Sequence, residues 1–233
     1  MRRVDLLRIA ARVATAHRRV ALEEILDSVQ KSCPAELRSD VGKFLGSGKF
    51  GETYEVDGGD KVLKIAIART AAEADSVLDH VRRVSRLDSD VFVKAHDFGV
   101  LCGVEVPRGT KYVNKAGVAY FYVMDRLAPL PAGEAQIAAR TLEDLAQIEK
   151  SGIAGERAER RRRYLSFKTK QYARSGDIDE GGPDPVAKAF DLFERMTASG
   201  VGHGDVHGDN IMQDSEGRYK LIDLEAAKLL GKS

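Results

Sequence analysis

The sequence predicts an α+β fold, with a β-sheet drawn from its first half and helices from its second. Three observations carry this. Short β-prone runs crowd residues 41–124, apolar residues at helical spacing dominate 132–198, and Gly-rich turns punctuate the β-prone half. At 233 residues the chain can hold one large domain or two small lobes with real cores.

Taken in order, residues 2–31 read as one or two amphipathic helices, with Val4, Leu7, Val13, Val20, Ile25 and Val29 at roughly helical spacing. Cys33-Pro34 interrupts helix, and Ser39-Asp40 is the expected boundary, so residues 1–40 form a helical extension. Thirty residues of amphipathic helix need an apolar surface, either on a lobe, on a partner protein or in a homodimer. Val41–Leu45, Thr53–Val56 and Val62–Ile67 follow as short strands, separated by Gly46–Gly51 and Asp57-Gly58-Gly59-Asp60. Residues 70–87 turn helical, with Ala74, Val77, Leu78, Val81 and Val84 on one face. Val91–Leu101, Val104–Pro107 and Val118–Met124 are further strands.

In the second half, Ala132–Lys150 is helical, with Ile137, Leu142, Leu145 and Ile148 on one side. Residues 151–183 are polar and Gly-rich, with a basic run at 160–163. Asp184-Pro185 starts another helix with an apolar stripe of Val186, Ala189, Phe190, Phe193 and Met196, ending near Gly200. Tyr219–Ile222 is the clearest strand of the C-terminal part.

Composition sets limits. Charged residues make up 31% and hydrophobic ones 43%, ordinary for a globular protein. A net charge of +1 gives no whole-molecule field that draws the chain to nucleic acid or a membrane, and neither is an expected partner. Two cysteines, Cys33 and Cys102, make no disulfide framework and suit a reducing compartment. No run approaches 18 apolar residues, and arginines from Arg2 to Arg19 interrupt any signal-peptide core, so a cytoplasmic protein is expected.

Two regions carry chemistry. The first is Gly46-Ser47-Gly48-Lys49-Phe50-Gly51, a G-x-G-x-x-G between two strands, followed by Lys64 in Lys61-Val62-Leu63-Lys64-Ile65. Glycine at all three positions lets backbone approach a ligand without a Cβ clash. A dinucleotide loop would open into a helix, whereas this one opens into a strand. On a strand, Lys64 points opposite to Leu63 and Ile65; Lys61 is the only nearby competitor, and a solvated lysine is the plain alternative. The second region is His203-Gly204-Asp205-Val206-His207-Gly208-Asp209-Asn210, with Asp223 thirteen residues after Asn210. A carboxylate near an acceptor hydroxyl, an amide oxygen and a second carboxylate for Mg²⁺ are what phosphoryl transfer requires. A mixed metal site from His203, Asp205 and His207 is the rival reading. The basic run Arg157, Arg160, Arg161, Arg162 and Arg163 alternates with Glu156 and Glu159, as a solvated helix face does, and could otherwise contact an anionic substrate or nucleic acid.

In this order, the motifs resemble the protein-kinase-like superfamily over residues 44–225. The resemblance implies a bilobal fold with a β-sheet N-lobe at 41–127, a mainly helical C-lobe at 128–233 and ATP in the cleft. It implies that Gly46, Ser47, Gly48 and Gly51 cover the phosphates and that Lys64 holds them. Glu73 would hold Lys64, or else sit as a first-turn acid on the helix dipole. Met124, Asp125 and Leu127 would meet adenine at a hinge, although a plain strand end reads the same way. Asp205 would be the catalytic carboxylate, Asn210 and Asp223 the Mg²⁺ ligands, and His203 a scaffold residue bonded to backbone near Asp223.

The branch is mixed. The complete glycine loop resembles Ser/Thr protein kinases. The usual protein-kinase loop has Arg after the His and Lys two residues after the Asp, where this chain has Gly204 and His207. His-Gly-Asp, and Asp223 followed by Leu224-Glu225, resemble aminoglycoside and choline phosphotransferases and several atypical protein kinases. Ten residues follow Asp223, too few for an activation segment, so the C-lobe reads as truncated and the kinase as minimal. An atypical Ser/Thr protein kinase is the first expectation. A small-molecule phosphotransferase is the alternative, and an ATP-binding pseudokinase scaffold is a third.

Overall fold

The structure is a computed structural model. It describes residues 44–48, 51–87, 90–105, 118–151, 153, 155–176 and 184–230. The expected helical extension at 1–40 and the tip of the glycine loop at 49–50 lie outside the described residues. The chain divides into two compact units.

The first unit comprises the described part of Met1–Ser85 with Lys94–Arg126. Its strands are β1 (Phe44–Gly48), β2 (Gly51–Val56), β3 (Lys61–Ala68), β4 (Ala95–Glu105) and β5 (Val118–Asp125). They form one antiparallel sheet in the order β1-β2-β3-β5-β4. β2 turns into β3 through a 3-10 turn at Asp57–Gly59, where Gly58 and Gly59 take positive φ (70° and 104°). A Cβ in that conformation is strained, so the Asp-Gly-Gly sequence and the turn explain each other. Helix α1 (Ala71–Ser85) packs Ala74, Leu78, Val81 and Val84 against the sheet, with Val77 at the margin. The buried positions follow the 3.6-residue period of the sequence.

The expected strands at Val91–Leu101 and Val104–Pro107 are redrawn. One strand, β4, runs from Ala95 to Glu105, with a register shift against β5 between Val100 and Glu105. Val91, Phe92 and Val93 are buried in the second unit instead, which holds Arg86–Val93 and Leu127 onward. Their backbone accounts for this: Val93 N–H donates to Leu221 O (2.9 Å), and Leu221 N–H donates to Val91 O (2.8 Å).

The second unit contains the short β6 (Ala128–Pro129) and the helices α2 (Ala132–Ser151), α3 (Arg157–Ser175) and α4 (Pro185–Ala198). It also contains β7 (Val201–His203), β8 (Ile211–Gln213), β9 (Tyr219–Leu221) and β10 (Ala227–Leu229). β6, β8 and β9 pair as one small sheet, and β7 pairs with β10. Asp184 caps α4, its carboxylate accepting from Val186 N–H (2.9 Å) and Ala187 N–H (3.2 Å), with Pro185 following in the first turn. Val186, Ala189, Leu192, Phe193 and Met196 are buried behind it.

Residues 157–175 form a 19-residue helix where the sequence reads as polar connection. Charge holds its inward face. Arg161 is buried, donating to Glu149 of α2 (2.5 Å) and Glu194 of α4 (2.8 Å). The Tyr164 hydroxyl donates to Asp144 (2.8 Å), and burial together with that carboxylate pushes the phenol well above its ordinary range. Gly176 closes the helix in the left-handed region (φ 76°), where a side chain would be strained. Hydrophobic periodicity does not detect a helix whose contact stripe consists of paired ions.

Candidate active site

The residues expected to serve the nucleotide lie in the first unit, except Leu127, which belongs to the second. Gly46, Ser47 and Gly48 belong to β1 and Gly51 to β2, paired Gly46↔Thr53, Ser47↔Glu52 and Gly48↔Gly51. Thr53 Oγ1 donates to Gly46 O (3.2 Å), which ties the hairpin together below its tip. Lys64 sits on β3 between Thr53 and Tyr122, flanked by buried Leu63 and Ile65, as the alternation predicts. Its Nζ stands 5.6 Å from the centre of the Tyr122 ring.

Glu73 lies in the first turn of α1, and there both its carboxylate oxygens bond to Arg69. Arg69 N–H donates at 2.8 Å and Arg69 Nε at 3.1 Å. The Arg69 side chain and then its backbone N–H hold the Glu73 carboxyl below the usual range. This clamp was not visible in the sequence, although an i, i+4 Arg–Glu spacing is its signal. At the end of β5, Met124 is buried, and the Asp125 carboxylate accepts from His96 Nε2 (2.5 Å). Asp125 N–H donates to Lys94 O (3.0 Å) and Arg126 N–H to Asp60 O (3.1 Å). Arg126 also reaches Glu55 (2.7 Å), so the strand end is fastened from two sides.

The second unit builds the other cluster from β7, a loop and the β8–β9 hairpin. His203 ends β7. Its Nδ1 accepts from Asp205 N–H (3.3 Å), so Nε2 carries the proton that points at Ile222 O (3.1 Å) and Asp223 O (3.2 Å). Both ring nitrogens are thereby used on backbone, which is the scaffold role. Phe92 supports the ring at 6.2 Å between centroids. With both ring nitrogens on backbone, His203 offers no free lone pair, which counts against the His203–Asp205–His207 metal reading.

Gly204 explains why this loop lacks a side chain after the histidine. Its N–H donates to Ala226 O (2.7 Å), and a Cβ there would stand 3.2 Å from that carbonyl and 3.0 Å from Lys228 Cε. Asp205 is exposed, with His207 Nε2 at 3.8 Å from its carboxylate and His207 Nδ1 at 3.8 Å from that of Asp209. Asp209 faces fully outward, as expected.

Asn210 is buried, and its Nδ2 donates to Asp205 O (2.8 Å). Only the nitrogen can donate, so the amide orientation follows, and Oδ1 is the atom turned to other partners. Ile222 N–H donates to Asn210 O (3.0 Å), and Ile211 pairs with Leu221. Asn210 therefore enters the hairpin where Asp223 leaves it. Asp223 itself takes φ 58° and ψ 60°, the only non-glycine with positive φ among the described residues. Such backbone costs about 1–3 kcal/mol and persists where its surroundings hold it. Here Ala226 N–H (2.9 Å) and His203 Nε2 both bond to Asp223 O. An open surface hollow of about 640 Å³ adjoins this loop, lined by Ala135, Ala139 and Arg140 of α2 with His207, Asp209 and Met212 and not by Asp205, Asn210 or Asp223.

The exposed Asp205 carboxylate, the Asn210 amide and Asp223 thus come together at one end of the β8–β9 hairpin. The chain belongs to the phosphotransferase enzyme family (APH), whose pattern its residues 41–229 match. No curated protein matches it. Among the described residues no helix is long and apolar enough to cross a membrane.

Proposed function

We propose that this chain transfers the γ-phosphoryl group of ATP to a hydroxyl of a small molecule, with Mg²⁺ as cofactor. The observation that carries it is the Asp205–Asn210–Asp223 arrangement in a chain of the APH family. Membership moves the reading away from the protein Ser/Thr kinase expected first and toward the small-molecule alternative.

In this reading Asp205 orients the acceptor hydroxyl and takes its proton late in transfer. Asn210 Oδ1 and the Asp223 carboxylate offer hard oxygens, which fit Mg²⁺. When bound, that ion would neutralise phosphate charge. Gly46, Ser47, Gly48 and Gly51 present backbone to the phosphates, Lys64 supplies a positive charge for them, and Met124, Asp125 and Leu127 serve adenine. Pairing of Glu73 with Lys64 belongs to the same reading and requires Arg69 to yield the carboxylate.

The complete glycine motif favours a second reading, protein Ser/Thr phosphorylation. The test is labelled ATP with Mg²⁺, offered generic protein substrate and, separately, a panel of hydroxylated amines and amino sugars, beside Asp205→Asn. Label on a small molecule, lost in Asp205→Asn while ATP still binds, upholds the proposal. Label on protein installs the second reading. A cellular effect that survives Asp205→Asn makes the chain a scaffold.

A further inference from the structure

The inward cations of α3 are matched to acids. Arg157 pairs with Glu149 (3.2 Å), Arg161 with Glu149 and Glu194, and Lys168 with Asp144 (3.7 Å). The outward face is built differently. Arg160, Arg163, Phe167, Lys170 and Arg174 recur at intervals of three and four residues, so they form one row on a single face. All five are exposed, and Phe167 is 64% exposed at the middle of the row. Arg163 has only an exposed bond to Glu159 (2.9 Å), the sole acid within the helix. Among the described residues, Arg160, Lys170 and Arg174 have no acidic partner. The row spans about 21 Å at 1.5 Å per residue. A net charge of +1 for the whole chain hides it.

We propose that this face binds single-stranded nucleic acid, with phosphates along the cationic row and one base stacked on Phe167. The charge calls for a polyanion, and the central aromatic selects among polyanions. A base offers a π-face to an exposed ring, which an acidic peptide does not. One phenylalanine is too little apolar surface to sink a helix into a bilayer, where an extended apolar face is needed. The inference goes beyond phosphoryl transfer and is read without ATP, so either can fail alone.

The experiment is fluorescence anisotropy of the full chain with a labelled 20-nucleotide single strand of mixed sequence, between 50 and 200 mM salt. Four phosphate contacts predict a slope of log K against log salt of about −3. The charge-reversed variant R160E/K170E/R174E should lose binding by at least about thirtyfold, with its circular dichroism unchanged because all three side chains are exposed. Phe167→Ala should weaken binding about tenfold and leave the salt slope as it was. Absence of binding at 50 mM salt overturns the proposal, as does wild-type affinity in the triple variant. Equal affinity in Phe167→Ala overturns the stacked base. Binding to phosphatidylserine vesicles or polyglutamate, with none to the oligonucleotide, also overturns it.

Discussion

The side-chain amide of Asn210 is bonded to the backbone carbonyl of Asp205 at 2.8 Å, so the loop that presents the proposed catalytic carboxylate also fixes the amide. One contact thus sets two functional atoms. Asn210→Asp removes the donor and places a second carboxylate against a carbonyl. We expect kcat to fall by about 10²-fold or more while the melting temperature drops only a few degrees. Steady-state kinetics with ATP and an identified acceptor measures this, and an unchanged kcat sinks the assignment.

Gly204→Ala tests the close approach of the chain at Ala226, just before β10. The new methyl group meets backbone at Ala226 O, which cannot rotate away as the end of Lys228 can. A cost of about 1–3 kcal/mol is expected, or roughly 3–10 °C in melting temperature. Thermal unfolding that matches the wild type would show that the strand has room to move.

Arg161→Ala should be the most damaging change in α3, because it leaves Glu149 and Glu194 without their shared cation. Both acids are partly exposed, so the loss is put at about 2 kcal/mol, below that of a fully buried pair. Arg161→Met with Glu149→Gln should recover part of it. Urea unfolding of the single and double variants decides, and no recovery in the double variant argues that the guanidinium acts by packing on Phe193 (5.9 Å).

The β8–β9 turn should carry acid sensitivity. Burial pushes the Asp214 carboxyl up. The backbone N–H groups of Arg218 (2.9 Å) and Glu216 (3.0 Å) and the Arg218 guanidinium outweigh it, and the net shift is downward. A depressed folded-state value stabilises the protein above the unfolded value, near pH 4, and that stability is lost as pH falls through the folded one. Asp214→Asn should therefore be less stable than wild type at pH 7 and converge with it toward pH 3. Parallel curves across that range would rule out Asp214 as the source.

Most of what was legible in the sequence was written in period and in punctuation. β3, α1 and α4 follow apolar spacing, and Asp184-Pro185 marks a helix start that the structure forms. The loop from His203 to Asn210 stood out because phosphoryl transfer calls for those residue types at those intervals. α3 was not legible as a helix, since Arg161 and Lys168 occupy positions where periodicity looks for carbon. Val91–Val93 were legible as strand-like but not as belonging to the second unit, because the backbone partner that claims them, Leu221, lies 128 residues beyond Val93. The Arg69–Glu73 clamp was hidden for a related reason. Two acceptable partners for one carboxylate cannot be ranked without distances.

Asn210 and Asp223 leave opposite strands of one short hairpin whose pairing is Ile211↔Leu221, Met212↔Lys220 and Gln213↔Tyr219. A slip of a single residue would turn both strands' side chains over together. The two oxygen ligands proposed for Mg²⁺ therefore stand or fall together: a chain that closes this hairpin out of register presents neither.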